Sequence, residues 1–287
     1  MAEAQTQQGE QAQPKRRSAW WRVLLIGLAM YVVALIALVL SGNPNLFPTV
    51  VMLGNFLVPV TYVAFFYERQ HLGTVTVAAT ALAFVYGGVL GVIAASILEP
   101  IFIPTLNLLT LLAVALIEEF VKILGVLVVA RRRRHDMELD GLILGAAAGM
   151  GFAALESIGY AFTAFLNSGG SLSATVGVTL LRGLLSPVGH GTWTAILASV
   201  LFREGCAKRF RLDWKVIIAY LAVVVLHYLW DALPSVISSF VSSGIDIAIG
   251  QAVVGGLGLF LLWRRWREAN RLAQAGQTAT AGCEPAA

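Results

Sequence analysis

Apolar residues along this chain come in long runs, not in stripes. Eight runs, at roughly 20–40, 46–67, 72–98, 106–130, 138–166, 174–202, 213–233 and 244–263, are separated by short polar connections. About 20 apolar residues in a helix cross the hydrocarbon layer of a bilayer, so the pattern predicts an all-α fold, a polytopic membrane helical bundle of about eight transmembrane helices. The first run is longer than a signal-peptide core and follows a polar stretch, so it reads as a retained span with no cleaved presequence. Residues 1–18 and 267–287 lack apolar periodicity and are expected to be disordered cytoplasmic tails flanking a membrane domain at 19–266.

Composition agrees: 58% of residues are hydrophobic and only 13% charged, which excludes an ordinary soluble domain. The net charge of +4 needs no nucleic-acid partner, because the basic residues follow membrane topology. Lys15, Arg16, Arg17 and Arg22 flank the first run, Arg69 follows the second, and Arg131 to Arg134 follow the fourth. Arg203, Lys208, Arg209, Arg211 and Lys215 join the sixth to the seventh, and Arg264, Arg265, Arg267 and Arg271 follow the eighth. The opposite connections carry no lysine or arginine, so a cell-membrane protein with both termini cytoplasmic is expected. The two cysteines, Cys206 and Cys283, exclude a disulfide framework. Gly145, Gly149 and Gly151 place small residues at a spacing suited to close helix contact.

Eight ionisable residues remain inside the runs: Glu118, Glu119, Lys122, Glu156, Arg182, His190, His227 and Asp231. Each such group costs about 2.5–3.5 kcal/mol at the centre of a bilayer on insertion scales and is kept where it faces partners or a wet cavity. Counting helical rise places Glu118, Glu119 and Glu156 about 15–20 Å below the outer face and both histidines at mid-depth. Four consecutive helices, within a core at about 106–235, thus bring polar groups to one layer. Lys122 lies four residues after Glu118 and three after Glu119, so it can neutralise either; the two glutamates point about 100° apart, so one faces substrate and the other orients or pairs. His227 and Asp231 share a helical face, where the carboxylate can bind alongside the imidazole or fix its tautomer. Pro187 is expected to loosen the sixth span beside His190. Arg182 reads as a snorkelling residue near the outer boundary, and His71 and His135 as solvated loop residues.

The same residues carry a resemblance. EEFVK at 118–122, FAALE at 152–156, His190 and HYLWD at 227–231 resemble, in order, the Glu-Glu-x-x-Lys, Phe-x-x-x-Glu, lone His and His-x-x-x-Asp elements of the PrsW family of intramembrane proteases, within the wider group of CAAX-prenyl proteases and Abi proteins. The likeness spans about 110–235; Ser157 departs from the asparagine of many members. It implies endoproteolysis of a membrane-bound protein substrate, the namesake activity being site-one cleavage of a membrane-bound anti-sigma factor. Peptide hydrolysis needs an activated water, a general base and oxyanion stabilisation. In one version His190, His227 and either Glu156 or Asp231 hold zinc or another divalent metal, and Glu119 or Glu118 acts as base while Lys122 orients the pair. In a metal-free version a glutamate and His190 activate the water, and His227 with Asp231 polarises the carbonyl. The chain has no His-Glu-x-x-His, no Gly-x-Ser-x-Gly and no pair of deep aspartates. A proton- or ion-coupled transporter and a non-catalytic membrane scaffold are the rival readings, although no half-to-half symmetry of the transporter kind is evident.

Overall fold

The computed structural model describes residues 18–70, 73–131, 137–205, 210–238 and 245–275. They form ten α-helices and no strand: α1 (Trp20–Ser41), α2 (Phe47–Glu68), α3 (Val77–Val85), α4 (Gly91–Phe102), α5 (Thr110–Ala130), α6 (Glu138–Asn167), α7 (Leu172–Leu185), α8 (His190–Arg203), α9 (Trp214–Ile237) and α10 (Ile245–Gln274). Two pairs make single passes. A π-helical turn, Tyr86–Leu90, joins α3 to α4, and a 3-10 turn, Ser186–Val188, joins α7 to α8. Six helical passes are long and apolar enough to cross a membrane by length and composition. The other two apolar runs also form helices, α5 with three ionisable residues near its middle and α10 with its arginine-rich second half. His71 and His135 lie outside the described residues, as do residues 1–17 and 276–287. The helix α10 continues to Gln274, so residues 267–274, expected as tail, are helical.

The central helix is α6, which is almost wholly buried from Glu138 to Ala154. It packs against α2, α3, α5, α7, α8 and α10. Its small residues are the cause. A Cβ on Gly149 would meet the backbone of His190, whose carbonyl carbon lies 2.7 Å from that position, and a Cβ on Gly151 would run into the Phe84 backbone. Lacking side chains there, α6 lets α8 approach on one flank and the α3–α4 pass on the other, the device by which small residues bring helices together in lipid. The Gly149 contact fixes the depth and rotation of His190.

The sixth pass breaks where Pro187 predicted. Proline has no amide hydrogen and obstructs the preceding turn, and α7 gives way to the 3-10 turn before Gly189 starts α8. His190 is therefore the first residue of a new helix. At the other end of the bundle, ion pairs tie the basic connections together. Arg265 pairs with Glu138, Arg203 Nη1 donates to Glu268 Oε1 at 2.8 Å, and Lys215 Nζ donates to Glu204 Oε2 at 2.9 Å. The start of α1 joins the end of α2 through the Ala19 amide, 2.9 Å from both Glu68 carboxylate oxygens. The Phe66 and Trp266 rings, with centroids 5.1 Å apart, join the two groups, so the described flanks of these basic connections lie on one side.

Candidate active site

Helix α5 supplies the first three members of a buried polar cluster. Its four-residue offset places Lys122 beside both preceding glutamates, with Nζ 3.0 Å from Glu118 Oε2 and 2.8 Å from Glu119 Oε1. Lys122 and Glu119 are completely inaccessible. The ammonium also lies 4.2 Å from the centre of the Phe152 ring on α6, an added cation–π attraction at a side chain with no solvent exposure.

The two glutamates face different ways. Glu119 points inward: Oε1 lies 3.0 Å from His227 Nδ1, and Oε2 accepts from the Thr194 hydroxyl at 3.5 Å. Glu118 lines a cavity of about 840 Å³ together with Glu156, His190, His227 and Asp231. The adjacent positions thus point to different sides of α5, and Glu118 is the one that lines the cavity.

From α6, Glu156 accepts from Arg182 Nη2 at 2.6 Å, and its same oxygen lies 3.1 Å from His190 Nε2. The Arg182 Nε–H also donates to the Ser157 hydroxyl at 2.9 Å. This corrects the expectation that Arg182 snorkels: two acceptors one residue apart on α6 hold the guanidinium in the bundle. Serine at 157 is thereby given a part in positioning it. Helix α8 contributes His190, whose Nδ1 lies 2.7 Å from Lys122 Nζ. Helix α9 contributes His227 and, one turn on, Asp231, with His227 Nε2 at 3.4 Å from Asp231 Oδ2 and 3.7 Å from Glu118 Oε2. The two imidazoles meet edge to face with centroids 5.0 Å apart, and Trp193 stacks on His227 at 4.9 Å.

All seven residues read from the sequence, Glu118, Glu119, Lys122, Glu156, His190, His227 and Asp231, thus belong to one contiguous network. Among the described residues one compact group suits a metal ion: Glu118, His190 and His227, whose ligand atoms all lie within 4.8 Å of one another. It keeps both expected histidines but takes Glu118 as the carboxylate, with Glu156 and Asp231 outside the group. Sequence reasoning overlooked Trp193, Thr194 and Glu99. The last lines the same cavity from α4; its one signal was an acidic residue before a proline at the end of an apolar run.

Fold and cluster together define a polytopic membrane protein with an ionisable centre enclosed by its helices. A family model described as PrsW family intramembrane metalloprotease matches residues 75–272, more than half of the chain, and the chain belongs to that family. The match includes every member of the network, and the family makes the protein an intramembrane protease. No curated protein and no solved structure matches the chain.

Proposed function

We propose that the protein cleaves a peptide bond of a membrane-bound protein in the cavity bounded by α4, α5, α6 and α9, with a divalent metal ion assisting; an anti-sigma factor is the substrate type that the family resemblance implies. One observation carries the reading: Glu118, His190 and His227 converge on the cavity wall while Glu119 and Lys122 lie sealed behind them.

The donor set fits a metal. Two imidazoles and one carboxylate form a recurrent catalytic zinc set, and a carboxylate behind a ligating imidazole is its usual support. Glu118, His190 and His227 would hold the ion, which when bound supplies an acidified water and a Lewis acid for the scissile carbonyl. The Glu119 carboxylate, 3.0 Å from His227 Nδ1, keeps the proton on that nitrogen and turns the Nε2 lone pair to the cavity. Lys122 balances the two glutamates. Asp231 lines the cavity within 3.4 Å of His227 Nε2 and has no lysine or arginine ion pair among the described residues, so it can take the proton of the attacking water and return it to the leaving amine.

A second reading, without metal, rests on Lys122. An ammonium only donates, so its 2.7 Å contact demands a lone pair on His190 Nδ1 and leaves the ring proton on Nε2, directed at Glu156. A ring so held does not ligate through Nε2, and Glu118 then acts as base toward water itself. Metal analysis and chelation separate the two. Stoichiometric metal in the purified protein, lost in His227→Ala, with cleavage abolished by chelator and restored by zinc, supports the first reading. Metal-free protein whose cleavage survives chelation supports the second. If no membrane protein accumulates in cells carrying Glu118→Gln and no cleavage by the unaltered protein is found, the proteolytic reading is overturned. The basic connections gathered at one end support cytoplasmic termini in a cell membrane, with the catalytic cavity reaching the opposite connection at Leu106–Leu108.

A further inference from the structure

Helix α4 lines the cavity through Val92, Ala95, Ser96 and Glu99, the i, i+3, i+4, i+7 face of a single helix. Around the cluster the other glutamates have cationic partners: Glu118 and Glu119 share Lys122, and Glu156 pairs with Arg182. Glu99 differs. Its Oε1 is buried without a hydrogen-bond partner, and no ion pair to it exists among the described residues. The next residue, Pro100, lies inside the helix and has no amide hydrogen to give the Ser96 carbonyl. The α4 wall therefore offers two acceptors one turn apart, one of them a carboxylate, and no cation among its own residues. Arg182 is committed to Glu156 and Lys122 is sealed away, so among the described residues no cation pairs with that wall.

We infer that Glu99, with the Ser96 carbonyl, binds a cationic side chain of the polypeptide substrate, a lysine or arginine lying between the reacting bond and the α4–α5 connection; the inference rests on the proteolytic reading of the same cavity. Such a side chain brings only donors, and a cation adds Coulombic attraction to the carboxylate on top of the hydrogen bond that a neutral substrate amide could also make. The cost of an unanswered carboxylate near the membrane is offset when substrate enters, which ties cleavage to a basic residue at a fixed distance from the scissile bond.

Two measurements test this on the full-length protein in detergent. The first is binding of N-lauroyl-arginine amide against its uncharged isostere N-lauroyl-citrulline amide, read by displacement of a fluorescent lipid-chain probe. The unaltered protein should prefer the arginine compound by about ten- to a hundredfold, the range for a hydrogen bond to a charged group. Glu99→Gln should bring the ratio near one, and Glu99→Asp should restore part of it. Equal affinities in the unaltered protein, or a preference that Glu99→Gln leaves intact, overturn the inference. The second is mass-spectrometric profiling of cleavage in a membrane-anchored peptide library. A preferred lysine or arginine at one position, weakened in Glu99→Gln and replaced by aspartate or glutamate in Glu99→Lys, supports it; an unchanged profile overturns it. Absence of all cleavage would sink the proteolytic reading alone, because the binding ratio decides Glu99 without turnover.

Discussion

Adjacent glutamates that look equivalent in sequence should fail in different ways when each is changed to glutamine. Glu118 faces the cavity, and Glu118→Gln removes a group that touches water or metal; cleavage should fall by about three orders of magnitude or more, as for loss of a catalytic acid–base or nucleophile-activating group. Glu119 touches only protein. Its loss leaves His227 Nδ1 without its carboxylate at 3.0 Å, and changes of this supporting kind cost about 10–100-fold in metal affinity or activity. Stability should move the other way. Breaking a buried ion pair costs about 3–5 kcal/mol; Glu119→Gln should lie near the lower end, because Lys122 keeps Glu118 at 3.0 Å. Glu118→Gln should cost less, since its partner Lys122 retains the closer, fully buried Glu119 at 2.8 Å. The assay pairs cleavage of a membrane-anchored reporter with thermal unfolding in detergent, normalised to folded protein. A Glu119→Gln protein with unshifted unfolding and no activity, beside an active Glu118→Gln, would refute the assignment of the two faces.

Gly149→Ala should disturb the site from a distance, since the added methyl meets the His190 backbone; overpacking costs about 1–3 kcal/mol and activity should fall more than stability, measured by the same pair of assays. Arg182→Gln should lower cleavage while changing the unfolding midpoint little, because the Arg182–Glu156 pair is partly exposed and such pairs contribute up to about 1 kcal/mol. Arg182→Lys should rescue it poorly, because one ammonium cannot reproduce the fork that reaches both Glu156 and Ser157.

The membrane bundle was legible because lipid leaves so few choices: a chain rich in long apolar runs can only be read as spanning helices, and charge asymmetry between connections orders them. The convergence of α5, α6, α8 and α9 was legible for the same reason, since deep ionisable groups are tolerated only in company. What escaped depends on rotation and on partners far apart in sequence. Which glutamate of Glu118 and Glu119 faces the cavity follows from how α5 is turned by α6 and α9, and no local pattern states that. Arg182 was misplaced because its acceptors, Glu156 and Ser157, sit on another helix. Glu99 fell at the edge of an apolar run, where a charge looks like an ordinary end of a span. The glycines of α6 were read as contact sites, but that one of them sets the position of His190 is a tertiary fact.

The break in the sixth pass divides one apolar segment into two levers that grip the same oxygen. Arg182 rides on α7 and His190 on α8, yet both meet Glu156 Oε2, at 2.6 Å and 3.1 Å. Because α8 is wedged against Gly149 and α7 is joined to it only through the Ser186–Val188 turn, a tilt of α7 would draw the guanidinium off Glu156 and leave the imidazole in place. One carboxylate oxygen thus couples the two halves of the broken pass, and a displacement of either half is felt at Glu156.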